Sequence, residues 1–367
     1  MEEAAVRWFD PWRQRRDVEA IWTSLAETCR PTYFLTWAWV ENWLATLPRS
    51  VSLRLAAIVD DVGPAAAWFI GERVIFHGGI VPSRARFLNA TGWDEFDELT
   101  IEHNGWLVRS PGSCSIDRVV DALAPAWDEL VLDAMDATDA ILTPRPPARV
   151  LTRKAVACHT VELDKVRAVA DYLTLVSGET RSQIKRAFKL YGARGPIAIE
   201  IAANLAEART MFAELVALHT AAWRDRGKPG AFTPYMHRFH ERLIDQRFAH
   251  GEIQLVRVRS GAATIGCLYN FVHDGIVSFY QSGMAYEADN KLKPGLVCHV
   301  EAIRHNASAG HRIYDFLGGD ARYKKSLATG SSELRWCVIR RPRMRFTIED
   351  RARDLRAWWR RRNARPS

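Results

Sequence analysis

Apolar positions recur at two spacings along this chain, and the spacing changes mark its elements. From Asp17 to Thr28 the residues Val18, Ile21, Trp22 and Leu25 fall on one face at helical period. Thr36 is placed to cap a second helix that carries Trp37, Val40, Leu44 and Leu47 at the same spacing. Strand-like runs follow at Leu53 to Val59, Ala65 to Ile70 and Arg73 to His77, then at Glu129 to Leu132 and Cys158 to Leu163. Between the last two, Thr143-Pro144-Arg145-Pro146-Pro147 excludes a helix interior and reads as a turn or linker.

The second half is read more simply. A helix is expected from Glu179 to Tyr191, a strand from Ile197 to Ile201, and helices over Leu205 to Trp223 and Pro234 to Ala249. Three strands follow at Glu252 to Val258, Ala262 to Val272 and Ile276 to Met284. A helix from about Gly295 to Ser308, a strand Arg312 to Leu317, a short helix near Asp320 to Leu327 and a strand Leu334 to Ile339 complete the order. This predicts an α/β protein (α+β layered), with a mixed central sheet flanked by helices and one crossover helix between strands of that sheet.

A length of 367 residues is more than one ordinary core, and the expected division is 1–150, 151–340 and a tail, 341–367. At 48% hydrophobic and 26% charged, the composition excludes disorder and repeat architectures. The longest uninterrupted apolar run, Ala65 to Ile70, falls far short of the roughly twenty residues of a membrane span. The opening Met1-Glu2-Glu3 is acidic where a signal peptide would be basic, so a cytoplasmic protein is expected. The six cysteines form no C-x-x-C pair and read as buried free thiols, with no metal expected.

Charge then changes the picture of the tail. Eleven Arg against three acids between Arg340 and Ser367 account for the whole net charge of +8, so the body is neutral. Nucleic acid is therefore an unfavoured partner. Thr347 and Asp350 read as a capping box. Ile348, Ala352, Leu355, Trp358 and Trp359 then make one face of an amphipathic helix whose other faces carry Arg. Such a helix fits docking onto the body, or peripheral contact with an anionic membrane at its inner face. Arg181, Lys185, Arg186 and Lys189 form a basic stripe, read either as a solvated face or as a clamp for a phosphate-bearing substrate. The acidic run Asp94, Glu95, Asp97, Glu98 and Glu102 reads as a solvated loop.

Three motifs resemble a known family. They are Phe279-Tyr280-Gln281-Ser282-Gly283-Met284, Lys291-Leu292-Lys293-Pro294-Gly295, and Tyr314-Asp315-Phe316-Leu317-Gly318-Gly319-Asp320-Ala321-Arg322-Tyr323-Lys324. Together with the element order they resemble the GNAT superfamily of N-acyltransferases. Within it they resemble the bacterial acetyltransferase-like branch associated with cellulose and exopolysaccharide biosynthesis, itself similar to the Fem-type aminoacyltransferases. The resemblance is good from about 150 to 340 and weaker from 30 to 150. It implies tandem GNAT-like folds, the first degenerate and the second the acyltransferase, with acetyl-CoA or another acyl-CoA as co-substrate.

The residues give that implication a chemistry. A pyrophosphate needs backbone N–H groups at a helix N-terminus, and Lys291, Lys293 and Gly295 stand where such a loop enters a helix. Two well-spaced glycines, the usual GNAT phosphate signature, are not present there. Tyr280 and Gln281 lie on the strand whose edge would bind pantetheine. Tyr323 matches the tyrosine that protonates the departing thiolate in GNAT enzymes. Asp315 and Asp320 are candidate bases, with His299 and Glu301 as further candidates; Asp320 is equally placed to cap the next helix, and Lys324 completes the polar cluster. The expected function is acyl-CoA-dependent transfer to an amine or hydroxyl of a small-molecule or saccharide acceptor. Aminoacyl transfer from charged tRNA and a non-catalytic assembly role remain the alternatives.

Overall fold

A computed structural model describes residues 5–348, apart from 100, 137–141, 143 and 229, and also residue 351. In chain order the strands are β1 (Val6–Phe9), β2 (Leu53–Asp60), β3 (Gly63–His77), β4 (Val81–Leu88), β5 (Leu107–Val108), β6 (Glu129–Asp136) and β7 (Arg149–Glu162). Then come β8 (Ile197–Ile201), β9 (Ile253–Ser260), β10 (Ala263–His273), β11 (Ile276–Met284), β12 (Ile313–Gly318) and β13 (Gly330–Arg340). The helices are α1 (Arg15–Cys29), α2 (Trp37–Thr46), α3 (Asp94–Asp97), α4 (Ile116–Ala122), α5 (Leu163–Arg167) and α6 (Gly178–Gly192). They continue with α7 (Leu205–Arg224), α8 (Pro234–Arg247), α9 (Pro294–Ser308) and α10 (Arg322–Leu327).

The fold is a tandem of two GNAT-like lobes on one mixed sheet. Twelve strands run in the order β1-β2-β3-β4-β6-β13-β7-β12-β11-β10-β9-β8, with β5 against β3. Each lobe repeats one plan. Two helices precede three antiparallel strands, and a crossover helix then brings in a parallel strand: β4 with β6 through α4, and β11 with β12 through α9. The expected boundary near 150 falls at the first residues of β7. β13 then returns between β6 and β7, antiparallel to both, so the last strand of the second lobe closes the seam with the first.

Local chemistry explains the elements. Thr36 caps α2 by accepting from the Trp39 amide, Asn204 caps α7 and Thr233 caps α8. The two expected runs Ala65 to Ile70 and Arg73 to His77 are one continuous strand, β3. Gly71 joins them because the chain passes so close to Ala90 O that a Cβ would collide with it. On one face of the sheet α1, α2, α7 and α8 share a core across both lobes, with Trp22, Trp39, Phe69, Phe212, Phe239 and Phe271 among its members. Asn42 of α2 donates to Phe239 O of α8 at 3.0 Å. On the other face, α4 covers the first lobe and α6, α9 and α10 cover the second.

Two expectations are corrected. The chain is already helical at 344, so Thr347 lies within that helix rather than at its cap. Phe346 is buried against His77, and Arg343 and Arg345 pair with the buried Asp128 at 3.2 and 2.5 Å. The start of the tail is therefore docked on the body; its Trp-bearing part lies outside the described residues. The acidic run is only partly solvated. Asp97 turns inward to accept from the Thr91 and Gly92 amides, and Glu102 is also drawn in. Among the described residues no helix is long and apolar enough to cross a membrane.

Parallel pairing in the first lobe is brief: Ala85 to Phe87 of β4 meet Glu129 to Val131 of β6, and the ladder then stops. The opening is filled by the chain itself. Asn104 sits between the diverging strands, its Nδ2 donating to Leu88 O at 3.2 Å and Asp133 O at 3.1 Å. Its Oδ1 accepts from Asn89 Nδ2 at 2.8 Å, and its own amide donates to Ala134 O at 3.0 Å. We predict that Asn104→Ala lowers stability by about 2–4 kcal/mol, because it leaves several buried partners unpaired. A urea midpoint equal to that of the unaltered chain would contradict this role. The shared core yields a second test. His240 is wholly buried among Trp39, Phe239, Tyr269 and Tyr280, and burial, with the neighbouring His237, pushes its pKa down to about 3. Its contribution is complete above the unfolded value of about 6.5 and is lost as pH falls below it, about 2 kcal/mol by pH 5. Denaturant midpoints should drop between pH 7.5 and 5, and His240→Leu should flatten that drop; an unchanged slope would refute the assignment.

Candidate functional site

The second lobe repeats the brief parallel contact and leaves it open in a different way. β11 and β12 pair only over Ile276 to Ser278 against Ile313 to Asp315. On its other edge β12 pairs β7 from Ile313 onward, with an irregularity between Asp315 and Gly318, where Leu317 adopts φ +58°. β11 keeps β10 as its partner but skips one residue: Tyr269 lies opposite Gln281 and Asn270 opposite Phe279, so Tyr280 is bulged out of the ladder. Bulges of this kind re-aim backbone and side chain beside active sites. The β12-facing edge of β11 from Phe279 onward has no strand partner among the described residues.

The N-terminus of α9 stands at the open end of these strands. Pro294 occupies its first turn, Leu292 is buried and anchors the loop, Lys291 is exposed and Lys293 half-buried. Gly295 faces open space, with nothing within 4 Å of a built Cβ. The first amides of a helix have no acceptor within it, so this turn presents free N–H groups.

Tyr323, on α10, stacks on His299 of α9 with ring centroids 5.0 Å apart. Burial raises its pKa above the usual phenol range, so the hydroxyl keeps its proton at every physiological pH. His299 is itself buried, held 3.0 Å from the Tyr314 hydroxyl and kept neutral by a pKa of about 3. Glu301 points elsewhere and pairs with Arg304. Asp320 is exposed in the turn before α10. Its expected capping role is corrected, because the N-cap is Ala321 and no side chain caps the helix. Tyr280 is directed into the interlobe core, its hydroxyl donating to Leu99 O at 3.2 Å. Gln281 is half-buried and accepts the Ser282 amide at 3.1 Å through its own Oε1. The basic stripe on α6 is divided: Arg181 donates to Leu173 O at 2.8 Å, while Lys185, Arg186 and Lys189 are exposed.

Asp315 and Lys324 have partners of their own. The Lys324 ammonium donates to Phe316 O and Gly318 O, both at 2.7 Å, and so holds the strand end in its irregular path. Burial lowers its pKa. Asp315 is buried and accepts from the Leu317 amide at 2.8 Å, from Cys158 Sγ at 3.3 Å and from His103 Nε2 at 3.2 Å. Although burial alone would raise it, His103 and the Leu317 amide hold its carboxyl below the usual range.

The residues that sequence reading missed come from the first lobe. The segment that plugs its own cleft with Asn104 continues into the second cleft. Leu99 O meets Tyr280, the Glu102 carboxylate accepts the Gly318 amide, and His103 meets Asp315. Burial raises the Glu102 pKa. Burial alone would lower that of His103, but the hydrogen bond and charge of Asp315 raise it overall. The available signal was the position of Glu102 and His103 directly before the turn-forming Asn104-Gly105, some 210 residues from Asp315 in sequence. Periodicity does not carry such a pairing.

Comparisons with known proteins bear on this lobe and on the fold. Residues 178–325 match the model of an acetyltransferase (GNAT) domain. Among curated proteins none matches the chain. FemX, a solved structure, is similar over 86% of this chain and 95% of its own, at 11% identity and TM-score 0.53. L-PGS from Bacillus licheniformis is similar over 90% of this chain and 93% of its own, at 9% identity and TM-score 0.52. A third likeness is to the C-terminal domain of a protein described as a lysylphosphatidylglycerol synthetase from Agrobacterium fabrum. It covers 90% of this chain and 93% of that domain, at 11% identity and TM-score 0.51. The second half of the chain thus resembles an acetyltransferase (GNAT) domain, within a two-lobed fold that these structures share along nearly their whole length.

Proposed function

We propose that the second lobe transfers an acyl group from an acyl-CoA thioester, acetyl-CoA foremost, to an amine or hydroxyl acceptor. The observation that carries this reading is the opening between β11 and β12, where among the described residues no strand pairs that edge of β11 beyond Ser278 and only Ser282 has side-chain partners, Gln281 Oε1 and His219 Nδ1, with the free first turn of α9 at its mouth. An extended pantetheine arm can add its amides to such an edge by main-chain hydrogen bonds. The pyrophosphate then meets the amides at Gly295 and Leu296 and the charge of Lys291 and Lys293. The metal-free chemistry is direct. The acceptor lone pair attacks the thioester carbonyl, the tetrahedral adduct collapses with cleavage of the C–S bond, and Tyr323 gives its proton to the departing thiolate. The acceptor's own proton passes to a base.

For that base the geometry favours Glu102 over the expected Asp315. Asp315 is committed to His103, Cys158 and the Leu317 amide, whereas Glu102 stands at the Gly318 strand end with its pKa raised by burial. Asp320, exposed near the same end, is a less enclosed candidate. The acceptor setting implied by the motif resemblance is cell-envelope or exopolysaccharide metabolism. A second reading, aminoacyl transfer from charged tRNA, draws on the whole-length fold likeness to FemX and the two lysylphosphatidylglycerol synthetase-type structures.

Calorimetric titration with acetyl-CoA, longer acyl-CoAs and charged tRNA separates these readings. Acyl-CoA is expected to bind, and saturation by charged tRNA alone would move the assignment to the second reading. Gly295→Val should stay folded, since its side chain meets no protein atom, yet weaken acetyl-CoA by at least about tenfold. With a turning-over acceptor, Tyr323→Phe should lower kcat by about 10²- to 10⁴-fold at nearly constant donor KM. Turnover at the unaltered rate would remove Tyr323 from the chemistry.

A further inference from the structure

The contact between the first-lobe segment and the second-lobe sheet is made by a histidine, a cysteine and a carboxylate at metal-ligand spacing. His103 Nε2 lies 3.2 Å from Asp315 Oδ2 and 3.5 Å from Cys158 Sγ, and Cys158 Sγ lies 3.3 Å from Asp315 Oδ1. Zinc bonds of about 2.0–2.1 Å to nitrogen, 2.3 Å to sulfur and 2.0–2.2 Å to oxygen, at tetrahedral angles, set such ligand atoms about 3.3–3.6 Å apart. The observed separations of 3.2–3.5 Å are close to that spacing, with His103 and Cys158 facing different oxygens of Asp315, so a turn of the carboxylate about Cβ–Cγ is needed to offer one oxygen to both. One ligand atom from each residue lies within 4.8 Å of the others.

The same geometry argues against a nucleophilic thiol. In a Cys–His–Asp relay the imidazole spends one nitrogen on the thiol and the other on the carboxylate. Here Nε2 faces both groups, so the two ring nitrogens are not divided between thiol and carboxylate. A metal ion is the ligand that draws a sulfur, a nitrogen and one carboxylate oxygen to a single point. A mixed S, N, O set suits zinc, whereas magnesium and calcium take oxygen.

The surroundings have the form of a built site. Cys158 is fully buried and Asp315 nearly so, while His103 lines a cavity of about 780 Å³ with Asn104, Met135 and Asp136. That cavity provides an entry path. The Leu317 amide orients the Asp315 carboxylate, and Glu102 and Lys324 stand alongside. His103 holds φ +51° and Leu317 φ +58°, backbone conformations that a structure retains only where the neighbours enforce them.

We propose that His103, Cys158 and Asp315 bind one Zn²⁺ ion, which fastens the 101–105 segment of the first lobe to β7 and β12 of the second. Three protein ligands leave a fourth position, on the side where His103 meets the cavity. Binding releases the thiol proton to solvent and takes His103 as neutral imidazole, its remaining ring proton on Nδ1, and changes no oxidation state.

The test uses the full chain, stripped with a chelator and titrated with Co²⁺ and Zn²⁺ in turn. One Co²⁺ per chain is expected, with a thiolate-to-cobalt charge-transfer band that Zn²⁺ abolishes on displacement. Cys158→Ser should lose the band and weaken Co²⁺ by at least about 100-fold, more than the cost of losing a supporting contact. Cys337→Ser, remote from the cluster, should keep both. If Cys158→Ser does not fold, His103→Ala carries the test through metal stoichiometry, expected to fall from one to zero. An unaltered chain that binds neither ion, or a band that survives in Cys158→Ser, would overturn the proposal and leave a hydrogen-bonded clasp.

Discussion

The structure depends on one constraint: two neighbouring parallel strands that hydrogen-bond over three residues and then part. A parallel pair left open in this way exposes backbone donors and acceptors that must find partners elsewhere. Both lobes are built on it, at Phe87/Val131 and at Ser278/Asp315. What differs is how the unpaired groups are satisfied. In the first lobe Asn104 supplies them with side-chain and backbone bonds from the chain itself, so that opening is filled. In the second, Glu102 satisfies only the Gly318 end, and Lys324 gathers the carbonyls of Phe316 and Gly318. The β11 edge beyond Ser278 has no strand partner among the described residues. One architecture thus closes one opening and leaves the other without a strand partner, and a single segment, residues 101–108, makes contacts in both.

That segment also explains why the two lobes act as a unit. The core shared by α1, α2, α7 and α8 is apolar and continuous, and β13 seals the sheet between β6 and β7. Burial of large aromatic side chains such as Trp39, Phe239 and Phe271 gives about 1.5–3 kcal/mol each, so the lobes hold together without polar help. The polar cluster at His103, Cys158 and Asp315 supplies direction instead. It fixes where the first-lobe segment meets β12, and therefore how Glu102 stands relative to Tyr280 and Gly318.

Most of the fold was legible because its elements follow simple periods. The second-half strands and helices match their expected spans within a few residues, and Ile276 to Met284 matches at both ends. The capping residues Thr36 and Thr233 carried the same information locally. The seam was not legible: β13 inserting between β6 and β7 is a pairing over some 170–210 residues, which periodicity does not encode. Of the candidate site, the positions of Tyr323 after a strand end and of Gly295 at a helix start were readable from the sequence, whereas Glu102 looked like part of a solvated acidic run. Its burial comes from tertiary contact with Gly318, and the commitment of Asp315 comes from His103; neither leaves a mark in the local sequence.

The central claim is that only the second opening receives the acyl donor. Hydrogen–deuterium exchange of the full chain with saturating acetyl-CoA tests it most directly. The account predicts new protection at the amides of Tyr280 to Gly283 and Gly295 to Val297, with no change at Leu88 to Ala90 or Leu132 to Met135. Protection confined to the first-lobe strands, or none anywhere at saturation, would contradict it.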